Sequence, residues 1–186
     1  MIRANPSGDR PFVDPSAFID PTAIVCGKVV VGAAVFVGPY AVIRADEVDK
    51  DGQLLPITIG DGSNIQDGVV IHSKAGAAVT IGARTSIAHR ANVHGPCTIG
   101  DGVFIGFNAV VFNCTIGDRA VIRHNSVVEN FHLPAEFHVP ATTTVHNDAD
   151  LARIPRVDAD TASFSESVAT TNQWLVLGYK RILEGT

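Results

Sequence analysis

Ile81-Gly-Ala-Arg-Thr-Ser-Ile87-Ala-His-Arg-Ala-Asn-Val93-His-Gly-Pro-Cys-Thr-Ile99-Gly-Asp-Gly-Val-Phe-Ile105-Gly-Phe-Asn-Ala-Val-Val111 carries an aliphatic residue at every sixth position. An α-helix cannot use that period, because 3.6 residues per turn scatter sixth neighbours around its surface. Short strands joined by regular bends can, each coil burying its aliphatics against the coils above and below. The frame extends in both directions. Upstream it holds Val13, Ile19, Val25, Val31, Val37 and Ile43, then resumes after an insertion at Ile59, Ile65 and Ile71. Downstream a step shortened by one residue leads to Ile116, Ile122 and Val128. Small or β-branched residues stand four places after many of these aliphatics, as at Ala23, Ser63, Ala91 and Cys97. Glycine often follows directly, as at Gly32, Gly60, Gly82 and Gly100, where a tight bend or a close backbone approach favours it. This is the pattern of an all-β solenoid, a parallel β-helix of hexapeptide repeats over residues 11–145.

The pattern fades after Val128, and Leu133-Pro-Ala-Glu-Phe-His-Val-Pro140 is expected to form a last irregular coil whose two prolines end the ladder. Residues 161–184 change character. Val168, Trp174, Leu175, Leu177, Tyr179 and Ile182 fit a C-terminal α-helix with one buried face, packed back along the β-helix. A chain of 186 residues with 46% apolar content fits one domain, 1–186, with a continuous core.

The net charge of −5 provides no basic surface to neutralise phosphates, so nucleic acid is excluded as a partner. No stretch approaches the roughly 20 apolar residues of a membrane span, and the polar start lacks the apolar run of a signal peptide. The expectation is a soluble, cytoplasmic protein. Cys26, Cys97 and Cys114 match neither a disulfide framework nor a CxxC metal site, and read as buried reduced thiols.

Chemistry concentrates in the histidines. Taking Ile59/Ile65/Ile71 and Ile81/Ile87/Val93 as two coils, His72 and His94 each follow the last aliphatic of their triplet, so they stack. Neighbouring strands lie about 4.7–4.9 Å apart, which lets two such imidazoles share a metal ion. His89 falls two places after Ile87, on the preceding face, and leaves the subunit in another direction. A threefold assembly would bring it to the His72/His94 face of a neighbour, giving three imidazoles and an open position. Three neutral imidazoles with a free fourth place make a catalytic metal, because coordinated water then ionises near pH 7. His124, His132, His138 and His146 show no such alignment.

Three segments give these residues a family context: Ile43-Arg-Ala-Asp-Glu47, Ile59-Gly-Asp-Gly-Ser-Asn-Ile-Gln-Asp-Gly-Val-Val-Ile-His72 and Ser86-Ile-Ala-His-Arg-Ala-Asn-Val-His-Gly95. With them the chain resembles the gamma-class carbonic anhydrases over nearly its whole length. The resemblance implies a left-handed sense, three hexapeptides per coil, a homotrimer, and a divalent metal held by His72, His89 and His94 between subunits. It implies zinc as cofactor, with Fe2+ or Co2+ also suited to imidazole, and carbon dioxide and bicarbonate as substrate and product. It further implies that Gln66 hydrogen-bonds the metal's water, that Asn64 orients it, and that Arg44 pairs with Asp46 and Asp67 across the interface. Asn172 matches an asparagine near the metal, and Glu47 a carboxylate able to relay a proton. One departure stands out. The archetype carries an acidic loop after the residue matching His72, whereas Ser73-Lys-Ala-Gly-Ala-Ala-Val-Thr80 is short and has no Asp or Glu.

The function expected is reversible hydration of carbon dioxide. Two other classes share the repeat: a hexapeptide acyltransferase using one histidine as general base without a metal, and a trimeric structural or carrier homologue of weak catalytic power.

Overall fold

The computed structural model describes residues 1–185. Its short strands run from Ile2–Arg3 to Thr144–Val145 and form three parallel sheets, one of eight strands and two of seven. Successive strands enter successive sheets, and every third strand is a neighbour in the same sheet. The chain winds as a left-handed parallel β-helix, three strands to a coil. We call the eight-stranded sheet the histidine face, because it contains Val70–Ser73 and Asn92–Gly95. The sheet containing Asn64–Ile65 and Ser86–Ile87 is the helix face.

The six-residue frame becomes the core. Val25, Ile43, Ile71, Val93, Val111, Val128 and Val145 align in consecutive strands of the histidine face, each at most 1% exposed. Burying each such side chain is worth roughly 1.5–3 kcal/mol. The glycines that follow the aliphatics serve close approach. A Cβ on Gly82 would lie 2.4 Å from Asp101 Oδ1 and 2.5 Å from the Gly100 carbonyl carbon. The positive φ angles fall elsewhere at the corners, for example Gly68 and Arg90.

The ends differ from the sequence expectation. The repeat does not fade after Val128: Leu133, Val139 and Val145 are fully buried and paired with Ile116, Ile122 and Val128. The step from Val128 to Leu133 is one residue short, which hides the frame from a reading in sixes. Pro134 and Pro140 follow strand ends, at bends, and the coils continue past both. The ladder stops where Asn147 caps the short helix α1, Asp148–Leu151. At the other end Ile2–Arg3 adds a strand beside Val25–Cys26, ahead of residue 11.

Helix α2, Ala159–Glu184, starts two residues before the expected 161 because the Asp158 carboxylate accepts the Thr161 N–H at 2.8 Å. It lies on the helix face, where Val168 and Tyr179 pack as expected but Trp174, Leu177 and Ile182 do not. Ala169, Asn172 and Val176 are buried, whereas Trp174 is 71% and Ile182 74% exposed. The sheet supplies the bulk here: Phe18 and Phe36 fill the space beneath the helix and stack with Tyr179. Small helix residues therefore make the closest approach.

Two insertions leave the solenoid at one corner. Ile43 and its partner Ile71 are 28 residues apart, and Ile71 and Val93 are 22, against 18 from Val93 to Val111. The excess forms loops 46–56 and 74–78, which meet where Gly76 packs against Asp49.

Candidate metal centre

The register that buries Ile71 and Val93 turns His72 and His94 outward, one directly above the other. Their rings stand 5.2 Å apart at 77°. His94 Nδ1 lies 3.1 Å from the Gly95 carbonyl. A carbonyl only accepts, so Nδ1 carries a proton, and in the neutral ring the lone pair is then on Nε2. His72 Nε2 is buried without a hydrogen-bond partner. It lies 3.4 Å from Asp46 Oδ1 and 3.5 Å from Glu47 Oε1, which surround it with anionic oxygen. An orphaned buried nitrogen costs about 1–3 kcal/mol unless something meets it. Two imidazoles with available Nε2 atoms beside carboxylates suit a divalent cation of intermediate softness, so the residues present fit such an ion.

His89 stands apart from this pair, at the corner that follows Ser86–Ile87. Its side chain is 48% exposed and its Nδ1 is 3.7 Å from Asp67 Oδ2. Among the described residues, no group of three His, Cys, Asp or Glu within one chain is arranged to hold a metal ion. One subunit offers a pair of imidazoles on one face and a single imidazole on another.

The amides belong to the side of His89. Asn64, fully buried under α2, donates to Ser86 Oγ at 2.7 Å, and its own Oδ1 accepts the Gln66 amide at 2.8 Å. Gln66, Asp67, His89 and Asn172 share one groove between α2 and the helix face, with Phe104 and Phe107 in its wall. Asn172 is buried and donates to the Val168 carbonyl at 3.0 Å. On the histidine face, Arg44 lies in register beneath His72 and donates to both Asp46 oxygens at 2.9 and 2.7 Å. Asp67, the carboxylate expected to meet Arg44 of a neighbouring subunit, lies beside His89 on the other face. Within one chain the candidate residues thus fall into two half-sites: Arg44, Asp46, Glu47, His72 and His94, and then Asn64, Gln66, Asp67, His89 and Asn172.

Three contributors lay outside the sequence reading. Ser86 holds Asn64 and is its partner in the next coil, a relation visible once coils are aligned. Phe107 packs on His89, ring centroids 5.1 Å apart, from the coil beyond. The Gly95 carbonyl is a backbone group, which no side-chain motif announces.

With the geometry in hand, the chain can be set beside known proteins. The bacterial transferase hexapeptide (six repeats) family matches residues 78–113. A carbonic anhydrase of Methanosarcina thermophila is 38% identical over 95% of this chain and 77% of its own length. The chain belongs to the gamma-class carbonic anhydrase family. A carboxysome assembly protein, CcmM of Nostoc sp., is 33% identical over 77% of this chain, which spans only 26% of that longer protein. Among solved structures, a putative acetyltransferase of Bacillus cereus superposes with a TM-score of 0.82 over 98% of both chains at 23% identity, a likeness of fold alone. This gamma-class chain thus shares its winding with transferases, and what sets it apart is the two half-sites. No helix among the described residues is long and apolar enough to cross a membrane.

Proposed function

We propose that the protein catalyses reversible hydration of carbon dioxide at a divalent metal centre between subunits of a homotrimer. His72 and His94 of one subunit and His89 of a neighbour are the ligands. The observation that carries this reading is the division of the three histidines: a stacked pair on one face, His72 with an unpartnered Nε2, and a third on another face, with no three-ligand group formed within one chain among the described residues. The identity with the Methanosarcina carbonic anhydrase supports it.

When bound, a divalent ion in such a setting acts as a Lewis acid that brings the pKa of water to about 7. The protein's own residues do the remainder. The Gly95 carbonyl holds His94 in the tautomer that can ligate. Ser86 and Asn64 lock the Gln66 amide, which lies in the groove with His89 and so orients the attacking oxygen. The groove's phenylalanines exclude water and accept an apolar gas. Glu47 is 47% exposed and 3.5 Å from His72 Nε2, a position from which it takes the released proton and passes it to buffer. Zinc is the metal proposed, and Fe2+ or Co2+ also suit imidazole ligands.

The test combines light scattering, metal analysis and a hydration assay before and after chelation. A trimer with one metal per interface and hydration lost on chelation is expected. A monomer that retains a full complement of metal, or acyl transfer from acyl-CoA that survives chelation, would refute the proposal.

A further inference from the structure

We propose that Phe107 and His124 are positioning residues for His89, forming an aromatic rail that fixes the direction in which this imidazole leaves its subunit. The inference rests on the metal-centre reading above. His89, Phe107 and His124 stand at the same corner of three consecutive coils, held by the Asn108 N–H to the His89 carbonyl and the Asn125 N–H to the Phe107 carbonyl. The Phe107 ring lies 5.1 Å from His89 at 39° and 4.3 Å from His124 at 19°. The Phe107 N–H also donates to His124 Nδ1 at 2.9 Å.

That last bond fixes the far end of the rail. An acceptor at Nδ1 requires a lone pair there, so His124 is neutral with its proton on Nε2. Burial, helped by the Arg123 guanidinium, holds the His124 pKa below its ordinary value and acts in the same sense. Rotation of the His124 ring would break the bond and the stack together, and the edge of Phe104 backs it at 6.4 Å. Phe107 thus rests against a fixed wall and offers its other side to His89.

His89 needs such a support. Its side chain is about half exposed, its ring makes no hydrogen bond among the described residues, and Asp67 at 3.7 Å is too distant to clamp it. A ligand that must reach another subunit loses its rotamer freedom on binding, unless packing has already removed it. Core filling does not account for Phe107, whose side chain remains 41% exposed.

The test uses the trimer and Zn2+ alone, with affinity measured by competition against a chelator. Phe107→Leu should weaken Zn2+ about tenfold or more, the usual scale for a residue that orients a metal ligand, while Phe107→Tyr should stay within about twofold of the unmodified protein. His124→Asn retains an acceptor near Nδ1 and should fall between them. His89→Ala separates the two layers of the argument. If it binds Zn2+ as the unmodified trimer does, the metal-centre reading falls and the rail with it. If His89→Ala loses Zn2+ but Phe107→Leu and His124→Asn both bind normally, the rail alone is overturned. A second readout needs no Zn2+: the His89 ring protons, seen by NMR after histidine labelling, should be shifted by the Phe107 ring current, and Phe107→Leu should abolish that shift. Identical His89 shifts in the two proteins would also overturn the proposal.

Discussion

Hydrogen-bonding rules decide more at His94 than its orientation. Because the Gly95 carbonyl can only accept, Nδ1 of the ring is committed, and Nε2 is the nitrogen that the proposed metal would meet. His89 offers its lone pair from a different face, so the two halves of the centre should complement one another between subunits. Subunits carrying His89→Ala, mixed and reassembled with subunits carrying His72→Ala, should form trimers in which one interface is intact. Metal analysis should find binding in the mixture and none in either parent, whereas a mixture as empty as its parents would count against a shared centre. Glu47 makes a separate claim. With no carboxylate in residues 73–80, Glu47 is the more exposed of the two carboxylates beside His72, and so the outlet expected for protons. Glu47→Ala should slow hydration about tenfold or more when buffer is scarce and recover as imidazole buffer is added. Isotope exchange between carbon dioxide and bicarbonate should change little. Normal turnover at low buffer would remove Glu47 from the proton path.

Strands and loops carry their own predictions. The strand Val42–Ala45 sets Arg44 beneath His72, and loop 46–56 returns Asp46 to meet it. A guanidinium held by two bonds at a face awaiting a neighbour should serve assembly. Arg44→Ala should raise the concentration at which the trimer dissociates by about tenfold, or about 1.4 kcal/mol, with the metal ligands unchanged. Dilution followed by light scattering checks this, and an unaltered midpoint would deny Arg44 that role. Cys97 opens the strand Cys97–Ile99 and Cys114 stands just before Thr115–Ile116; both are buried, and burial pushes both thiols up, that of Cys97 to about 11 from its ordinary value near 9. The unfolded chain therefore releases that proton first as pH rises. Stability should be full below pH 9 and fall by roughly 2–3 kcal/mol towards pH 11. Urea unfolding at stepped pH should show this limb more steeply in the native protein than in Cys97→Ala, which keeps the contribution of the buried Cys114 thiol; parallel curves for the two would contradict the assignment.

Across the whole molecule, legibility followed regularity. Every strictly six-spaced aliphatic from Val25 to Val128 could be read inward because burial in a solenoid repeats without exception. One short step after Val128 was enough to hide the last coil. The helix was recognisable from its periodicity, but its buried side only in part: Val168 and Tyr179 pack on the sheet, whereas Trp174 and Leu177 stay exposed because Phe18 and Phe36 of the sheet supply the bulk. In the candidate site, the His72–His94 stack followed from register alone. The roles of Gln66, Asn64 and Arg44 came from family likeness, and the Gly95 carbonyl and the Phe107 rail depend on contacts that no motif encodes.

The two insertions leave at one corner of two successive coils, and the stacked histidines sit within those same coils. Each coil touches only the next, so the solenoid behaves as a graduated ruler on which the chemistry occupies two marks. Distance between those marks is set by a single ladder of backbone hydrogen bonds, and rings further along do not enter it. Growth of the ruler by a whole coil beyond the Phe107 rail would extend the molecule while leaving the spacing of His72 and His94 as it is. A lineage built on this plan can therefore alter its length, its ends and its outer helix while the gap between its stacked histidines stays calibrated.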